Sequence, residues 1–103
     1  MKKVTRYVTL TIVIEEADNQ YAAYCEELDT ASCGTTLEEA FENIKEAITV
    51  DLNALEDIGE REQFFLERGI AIKERIKDDV PIRVPIHRRA WTTAYDAKVL
   101  VPA

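Results

Sequence analysis

The chain has 103 residues, enough for one domain with a modest core and no covalent staples. A composition of 47% apolar and 32% charged residues excludes a disordered chain. A net charge of −7 argues against nonspecific nucleic-acid binding, which draws on Lys and Arg. That charge is uneven. Residues 1–59 carry four basic and thirteen acidic side chains, a formal −9, whereas residues 60–103 carry nine basic and seven acidic, a formal +2. An acidic N-terminal half suits a basic protein partner, although a negative surface that simply keeps the protein soluble accounts for the same numbers.

From the N-terminus, residues 2–15 alternate strictly. Val4, Val8, Leu10, Ile12 and Ile14 fall on one face and Thr5, Tyr7, Thr9, Thr11 and Val13 on the other, which predicts a strand. Apolar blocks such as Ile12 to Ile14 are far too short to span a bilayer. No small-residue cleavage site follows Lys2 and Lys3, so a signal peptide is not expected and the expected location is the cytoplasm. Ala17-Asp18-Asn19-Gln20 is a polar turn, because Asp and Asn tolerate left-handed geometry. Tyr21 to Cys25 reads as a second strand closing a hairpin, with Tyr21, Ala23 and Cys25 on one side. A short third strand around Ala31-Ser32-Cys33 ends at Gly34. Cys25 and Cys33 are expected as reduced, packed thiols, with a disulfide as the lesser alternative.

Thr36 to Ile58 predicts one long amphipathic helix. Leu37, Phe41, Ile44, Ile48, Leu52, Leu55 and Ile58 step by three and four, with Ala40 and Ala47 between them. Thr36 and Glu39 stand in capping-box spacing, Glu38 adds charge at the positive dipole end, and Gly59 is placed for a left-handed cap. A rod of about 33 Å follows from roughly 1.5 Å per residue, enough to cross a small sheet. Glu60 to Arg68 predicts a short second helix ending at Gly69. Ile70, Ile72 and Ile76 suit an extended segment, and Lys77-Asp78-Asp79 a turn. Val80, Ile82, Val84 and Ile86 alternate again, with Pro81 and Pro85 confining them to an edge strand. Ala97 to Val101 is a final strand.

Three stretches together resemble the HicB-like antitoxin family. They are Tyr21-Ala22-Ala23-Tyr24-Cys25-Glu26-Glu27-Leu28, then Ala31-Ser32-Cys33-Gly34-Thr35-Thr36-Leu37-Glu38-Glu39-Ala40, and Asn43-Ile44-Lys45-Glu46-Ala47-Ile48. The resemblance covers residues 4–58 and lies in the ordered set rather than in any one motif. Glu26 departs from the family's usual proline, Thr35 from its aspartate, and Asn19-Gln20 from a Gly-Gly turn. The resemblance implies a β-β-β-α-β sheet with one helical layer, related to a truncated RNase H sheet. It also implies a protein that binds and masks HicA, a small basic mRNA-cleaving toxin. Members that carry a helix-turn-helix or ribbon-helix-helix segment bind operator DNA as well. Residues 59–103 show no such helix pair and no Arg-rich helix, so DNA binding by this chain is doubtful.

Candidate chemistry is sparse. His87 is the single histidine, without Cys, Asp or a second His at ligand spacing, and reads as a loop histidine. Arg88-Arg89 with Trp91 could touch RNA, yet two arginines are few and Trp91 serves equally as a core or interface anchor. Glu26, Glu27 and Asp29 form an acidic rim, expected to be exposed, with Leu28 as an apolar centre for a partner. Neighbouring acids on one loop point apart and so make a poor metal site. No catalytic residue, cofactor or metal is expected.

The expected architecture is a single α+β domain over 1–103, with a core over 1–58 and a helix-and-strand extension over 59–103. It comprises a twisted antiparallel sheet of four to six strands, the long helix and the short one. The expected function is a HicB-like antitoxin module facing a HicA-like toxin. The alternative is an orphan homo-oligomeric structural or small-ligand-binding domain, and an RNase H-like hydrolase lacks a visible set of acids. A homo-oligomer is expected from Phe64-Phe65-Leu66 and the apolar segment 80–86.

Overall fold

The computed structural model describes the backbone of residues 3–73, 84–87 and 90–102, and the side chains of residues 6–73 and 90–99. The turn expected at 77–79, Ile76, Val80, Pro81, Ile82 and the Arg88-Arg89 pair lie outside the described residues. The elements are β1 (Lys3–Ala17), β2 (Gln20–Cys25), β3 (Thr30–Gly34), α1 (Leu37–Asp57), α2 (Arg61–Arg68), β4 (Ile72–Lys73), β5 (Val84–His87) and β6 (Ala90–Pro102). The chain is thus α+β, an antiparallel sheet with one long and one short helix.

The alternation along β1 sorts its side chains as the sequence predicts. Val8, Leu10, Ile12 and Ile14 are sealed from solvent on one face, and Tyr7, Thr9, Thr11 and Val13 are half-buried on the other. Asp18 and Asn19 both take left-handed φ, at 51° and 64°, which gives a two-residue hairpin turn whose twist matches the strands it joins. Tyr21 to Gly34 then lays β2 on β1 and β3 on β2, with Ile12 opposite Cys25 and Ala23 opposite Ser32.

The C-terminal strand is longer than its sequence suggests. β6 pairs with β1 in unbroken register from Lys3 opposite Pro102 to Glu15 opposite Ala90. The sheet order is therefore β3-β2-β1-β6-β5, and the two-residue β4 pairs with β1 at Tyr7 and Val8. The chain's two ends share the middle of the sheet, and Ala97 and Val99 join the core beside Val8 and Leu10. Among the described residues β5 lies at the edge of the sheet, a position that tolerates Pro85, and its register with β6 slips between Pro85 and His87.

α1 lies across one face of this sheet. Its Thr36 side chain accepts from the Glu39 N–H at 3.0 Å, completing one arm of the expected capping box. The Glu39 carboxylate reaches back to the Thr35 N–H at 3.1 Å, one residue earlier than that motif predicts. Ala40, Phe41, Ile44, Ile48 and Leu52 are buried, and each large side chain among them contributes about 1.5–3 kcal/mol to the core. Ile58, expected on the same stripe, is 66% exposed. The steps Leu52–Leu55–Ile58 are both of three residues, each short of a full turn of 3.6, so the row drifts off the sheet-facing side. The helix approaches β3 closely at Gly34, where an added Cβ would lie 2.5 Å from the Ala40 nitrogen. Asn43 fastens the same contact by donating its amide to the Cys33 carbonyl at 2.8 Å.

Two further expectations change. Cys25 is buried, but Cys33 is exposed, because it pairs with Ala22 on the sheet face that α1 does not cover; both thiols are free. Of Phe64-Phe65-Leu66, only Phe65 enters the core, Phe64 packs against its margin, and Leu66 points outward.

Candidate functional site

The residues expected to form a partner-binding rim, Glu26, Glu27, Leu28 and Asp29, occupy the turn from β2 to β3, and the structure separates them into different roles. Glu26 is exposed; its N–H donates to the Thr11 carbonyl at 3.1 Å and ends the β1–β2 ladder. Glu27 is half-buried rather than exposed. Its carboxylate accepts from the Thr11 N–H at 2.7 Å and from the Thr11 hydroxyl at 2.9 Å. β2 leaves β1 after Ile12 and β4 joins it only at Val8, so Glu27 fills the interval with a side chain where a strand would otherwise be. Asp29 is exposed with φ at 53°, and accepts from the Tyr24 hydroxyl at 2.6 Å, which raises the Tyr24 pKa above its ordinary value.

Leu28 turns the other way, inward. It belongs to the core cluster and forms the floor of an open groove of about 310 Å³ whose walls are Asp51, Ala54, Leu55 and Ile58 of α1 with its C-cap, and Phe64 of α2. Arg68 holds α2 against this groove. Its guanidinium stands 4.9 Å from the centre of the Phe64 ring and reaches the Glu27 carbonyl at 3.5 Å. On the opposite wall, the Thr30 hydroxyl bonds to the Asp51 carboxylate.

The outer surface of α1 beside the groove carries an apolar row that the sheet does not use. Val50 is 65% exposed, Ala54 is exposed, and Ile58 follows at the same spacing of four. The rest of the surface of α1 is acidic. The helix has Glu38, Glu39, Glu42, Glu46, Asp51, Glu56 and Asp57 against Lys45 alone, with no basic residue in its last turn. Asp57 therefore meets the negative end of the helix dipole, an arrangement that favours an approaching cation, whereas Glu56 beside it already faces the Arg61 guanidinium at 3.3 Å. The row escapes a sequence reading because Ala47 and Ile58 fit the core stripe as well, and only burial separates the two rows. The Val50–Ala54–Ile58 interval of four was its available signal.

Other hollows lie elsewhere among the described residues. One, of about 330 Å³ between α1 and β6, contains Arg61, only 3% exposed, with its guanidinium nitrogens 3.3 Å from Glu56 and 3.3 Å from Glu62, and Tyr95, whose hydroxyl pKa burial pushes up. Another, about 380 Å³, is a trough on the uncovered sheet face floored by Val13, Ala22 and Ala31 with Tyr24 beside it. Trp91 lies half-buried on the helix side, its ring centre 6.1 Å from that of Tyr21. The backbone of His87 is in β5, and its side chain lies outside the described residues. Among the described residues no group of three or more His, Cys, Asp or Glu side chains could hold a metal ion, and no helix is long and apolar enough to cross a membrane.

The chain gives no significant match to any protein-family model, curated protein or solved structure.

Proposed function

We propose that this protein is an acidic protein-binding module, an antitoxin of the HicB-like kind that masks a small, basic, HicA-type mRNA-cleaving toxin. The observation that carries this reading is the surface of α1, where Glu38, Glu39, Glu42, Glu46 and Asp57 are exposed against the single Lys45, bearing exposed Val50 and Ile58 beside a largely apolar groove. Exposed apolar side chains within a charged surface are the composition of a protein interface, where the apolar centre supplies affinity and the charged rim supplies steering. A toxin that grips RNA must itself be basic, so the fields of the two proteins would be complementary. The element order β-β-β-α followed by further strands, and the residues of 4–58 that resemble the family, support the same reading. The role requires no catalytic group on this chain. Self-association is part of the proposal and is assigned to the edge strand β5, which leaves α1 free.

The test is coexpression with a short basic reading frame adjacent to this gene. Expression of that frame alone is expected to arrest growth and cleave mRNA, and coexpression with this chain to relieve both through a complex that survives purification. A neighbour that is harmless alone, or toxicity that this chain does not relieve, overturns the antitoxin reading.

A further inference from the structure

The exposed row on α1 and the groove beside it form one continuous surface. Val50, Ala54 and Ile58 make a ridge along the outside of the helix, and Ala54 and Ile58 are also the near wall of the hollow floored by Leu28. An amphipathic helix offers apolar side chains at the same three- and four-residue spacing, and two such ridges interlock along their length. Glu46, Asp51 and Asp57 flank the row, and Asp57 stands at the negative end of the α1 dipole, where a partner's lysine or arginine meets both carboxylate and carbonyls. A second copy of this chain would bring an equally acidic helix to this face, so like charges oppose a self-contact there.

We propose that the Val50–Ala54–Ile58 row of α1 and the Leu28-floored groove are the docking seat for an amphipathic helix with lysines or arginines along its flanks. This deepens the protein-binding reading above and rests on it. An apolar side chain of the incoming helix enters the groove between Leu55 and Phe64. Its basic flanks align with Asp51 and Asp57, and the Leu28 floor lets it penetrate without displacing the core. The partner's basic residues relieve a surface that is self-repulsive in the free protein, which ties affinity to salt concentration.

The probe is a helical peptide of about 14 residues, two heptads of leucine and lysine in amphipathic order, titrated at low salt into the isotopically labelled protein and followed by two-dimensional NMR. Its counterpart with glutamate in place of lysine is the control. The expected result is saturable shifts at Leu28, from Asp51 to Ile58, and at Phe64, with no binding of the glutamate peptide. Ala54→Arg is expected to weaken binding by about tenfold or more, equivalent to about 1.4 kcal/mol. Val50→Arg, an independent exposed position on the row, is expected to do the same, with unchanged circular dichroism in both variants. Shifts confined to the uncovered sheet face around Val13, Ala22 and Tyr24, equal binding of the glutamate peptide, or undiminished binding by both arginine variants would each overturn the proposal. A groove that takes the peptide in a chain that neutralises no toxin sinks the antitoxin reading alone. A toxin bound equally well by Ala54→Arg and Val50→Arg sinks the groove alone.

Discussion

The carboxylate of Glu27 accepts two hydrogen bonds from Thr11, 2.7 Å from its backbone nitrogen and 2.9 Å from its hydroxyl, at the point where β1 has lost β2 and not yet met β4. A backbone N–H left without this acceptor in a half-buried position keeps its desolvation cost and loses its bond. Glu27→Ala is therefore expected to cost about 2 kcal/mol, the range for a hydrogen bond to a charged group. Glu26→Ala, whose side chain is exposed, is expected to stay within about 0.5 kcal/mol. Urea denaturation of the two variants checks the contrast, and equal midpoints would refute the structural role of Glu27.

Gly34 is required by a close approach rather than by its backbone angles. A Cβ there would stand 2.5 Å from the Ala40 nitrogen and 2.9 Å from the Glu39 carbonyl carbon, both backbone atoms that cannot rotate away. Gly34→Ala must push α1 off β3 and break the 2.8 Å bond from Asn43 to the Cys33 carbonyl, with an expected loss of about 1–3 kcal/mol, the range for overpacking. Gly59→Ala meets nothing within 4 Å, but its φ of 73° strains any side chain, and its expected cost is nearer 1 kcal/mol. Thermal denaturation that ranks Gly59→Ala as the more damaging would contradict this account.

Local structure was readable because its causes are local. The Asp18-Asn19 turn, the Thr36 cap and the glycines after both helices each depend on side chains within a few residues. Pairing over long separations was not. Residues 90–96 contain the strand-favouring Trp91, Thr92, Thr93 and Tyr95, but Ala94 and Asp96 dilute the apolar alternation seen in β1, and no local signal names the distant partners Ile14 to Thr9. The site was legible in part for the same reason. The sequence placed Leu28 as an apolar centre amid acids, but its neighbours Ala54, Ile58 and Phe64 arrive through tertiary packing. Glu27 looked like any loop acid because Thr11, its partner, lies in another strand.

Cys25 and Cys33 differ in chemistry because they lie on opposite faces of the sheet. Burial is the leading cause that pushes the Cys25 thiol pKa up from 9.0 to about 11. A raised folded-state value means that the native state holds its proton where the unfolded chain has lost it. The contribution of Cys25 is therefore complete below pH 9 and is lost as pH rises from 9 towards about 11. Titration with a thiol reagent at pH 8 is expected to modify Cys33 rapidly and Cys25 only on denaturation. Cys25→Ala should flatten the alkaline fall in stability over that window. Two equally fast thiols in the native protein would contradict the burial.

Arg61 is a buried cation held by Glu56 and Glu62, both of which are more exposed than it is. Truncation to Ala removes the charge and the packed stem together, and is expected to cost about 2–4 kcal/mol, chiefly from the cavity left by the stem, because Glu56 and Glu62 are exposed enough to be taken up by water. Methionine fills similar space without the desolvation cost of a charge, so Arg61→Met is expected to lie within about 1 kcal/mol of the native protein. Guanidinium denaturation separates the two. An equal loss in both would show that the ion pairs, not the packing, hold α2 to α1.

The acidic surface of α1 makes a prediction about rate rather than affinity. Glu46 and Asp57 are exposed and flank the Val50–Ala54–Ile58 row without lining the groove, so they act on an approaching partner through their field alone. Screening shortens that field to about 8 Å at physiological ionic strength, so it governs encounter most strongly at low salt. Glu46→Lys with Asp57→Lys changes the local charge by four units, and is expected to slow association of the leucine–lysine peptide about tenfold at low salt. Dissociation, set by the apolar contacts, should change far less. The partner experiment replaces Glu26 and Asp29 with Lys and leaves Glu27 in place, because Glu27 holds β1. Slower association in that second variant and none in the first would move the seat from α1 to the β2–β3 turn. An unchanged association rate in both, measured by stopped-flow fluorescence at low salt, would remove electrostatic steering from the account altogether.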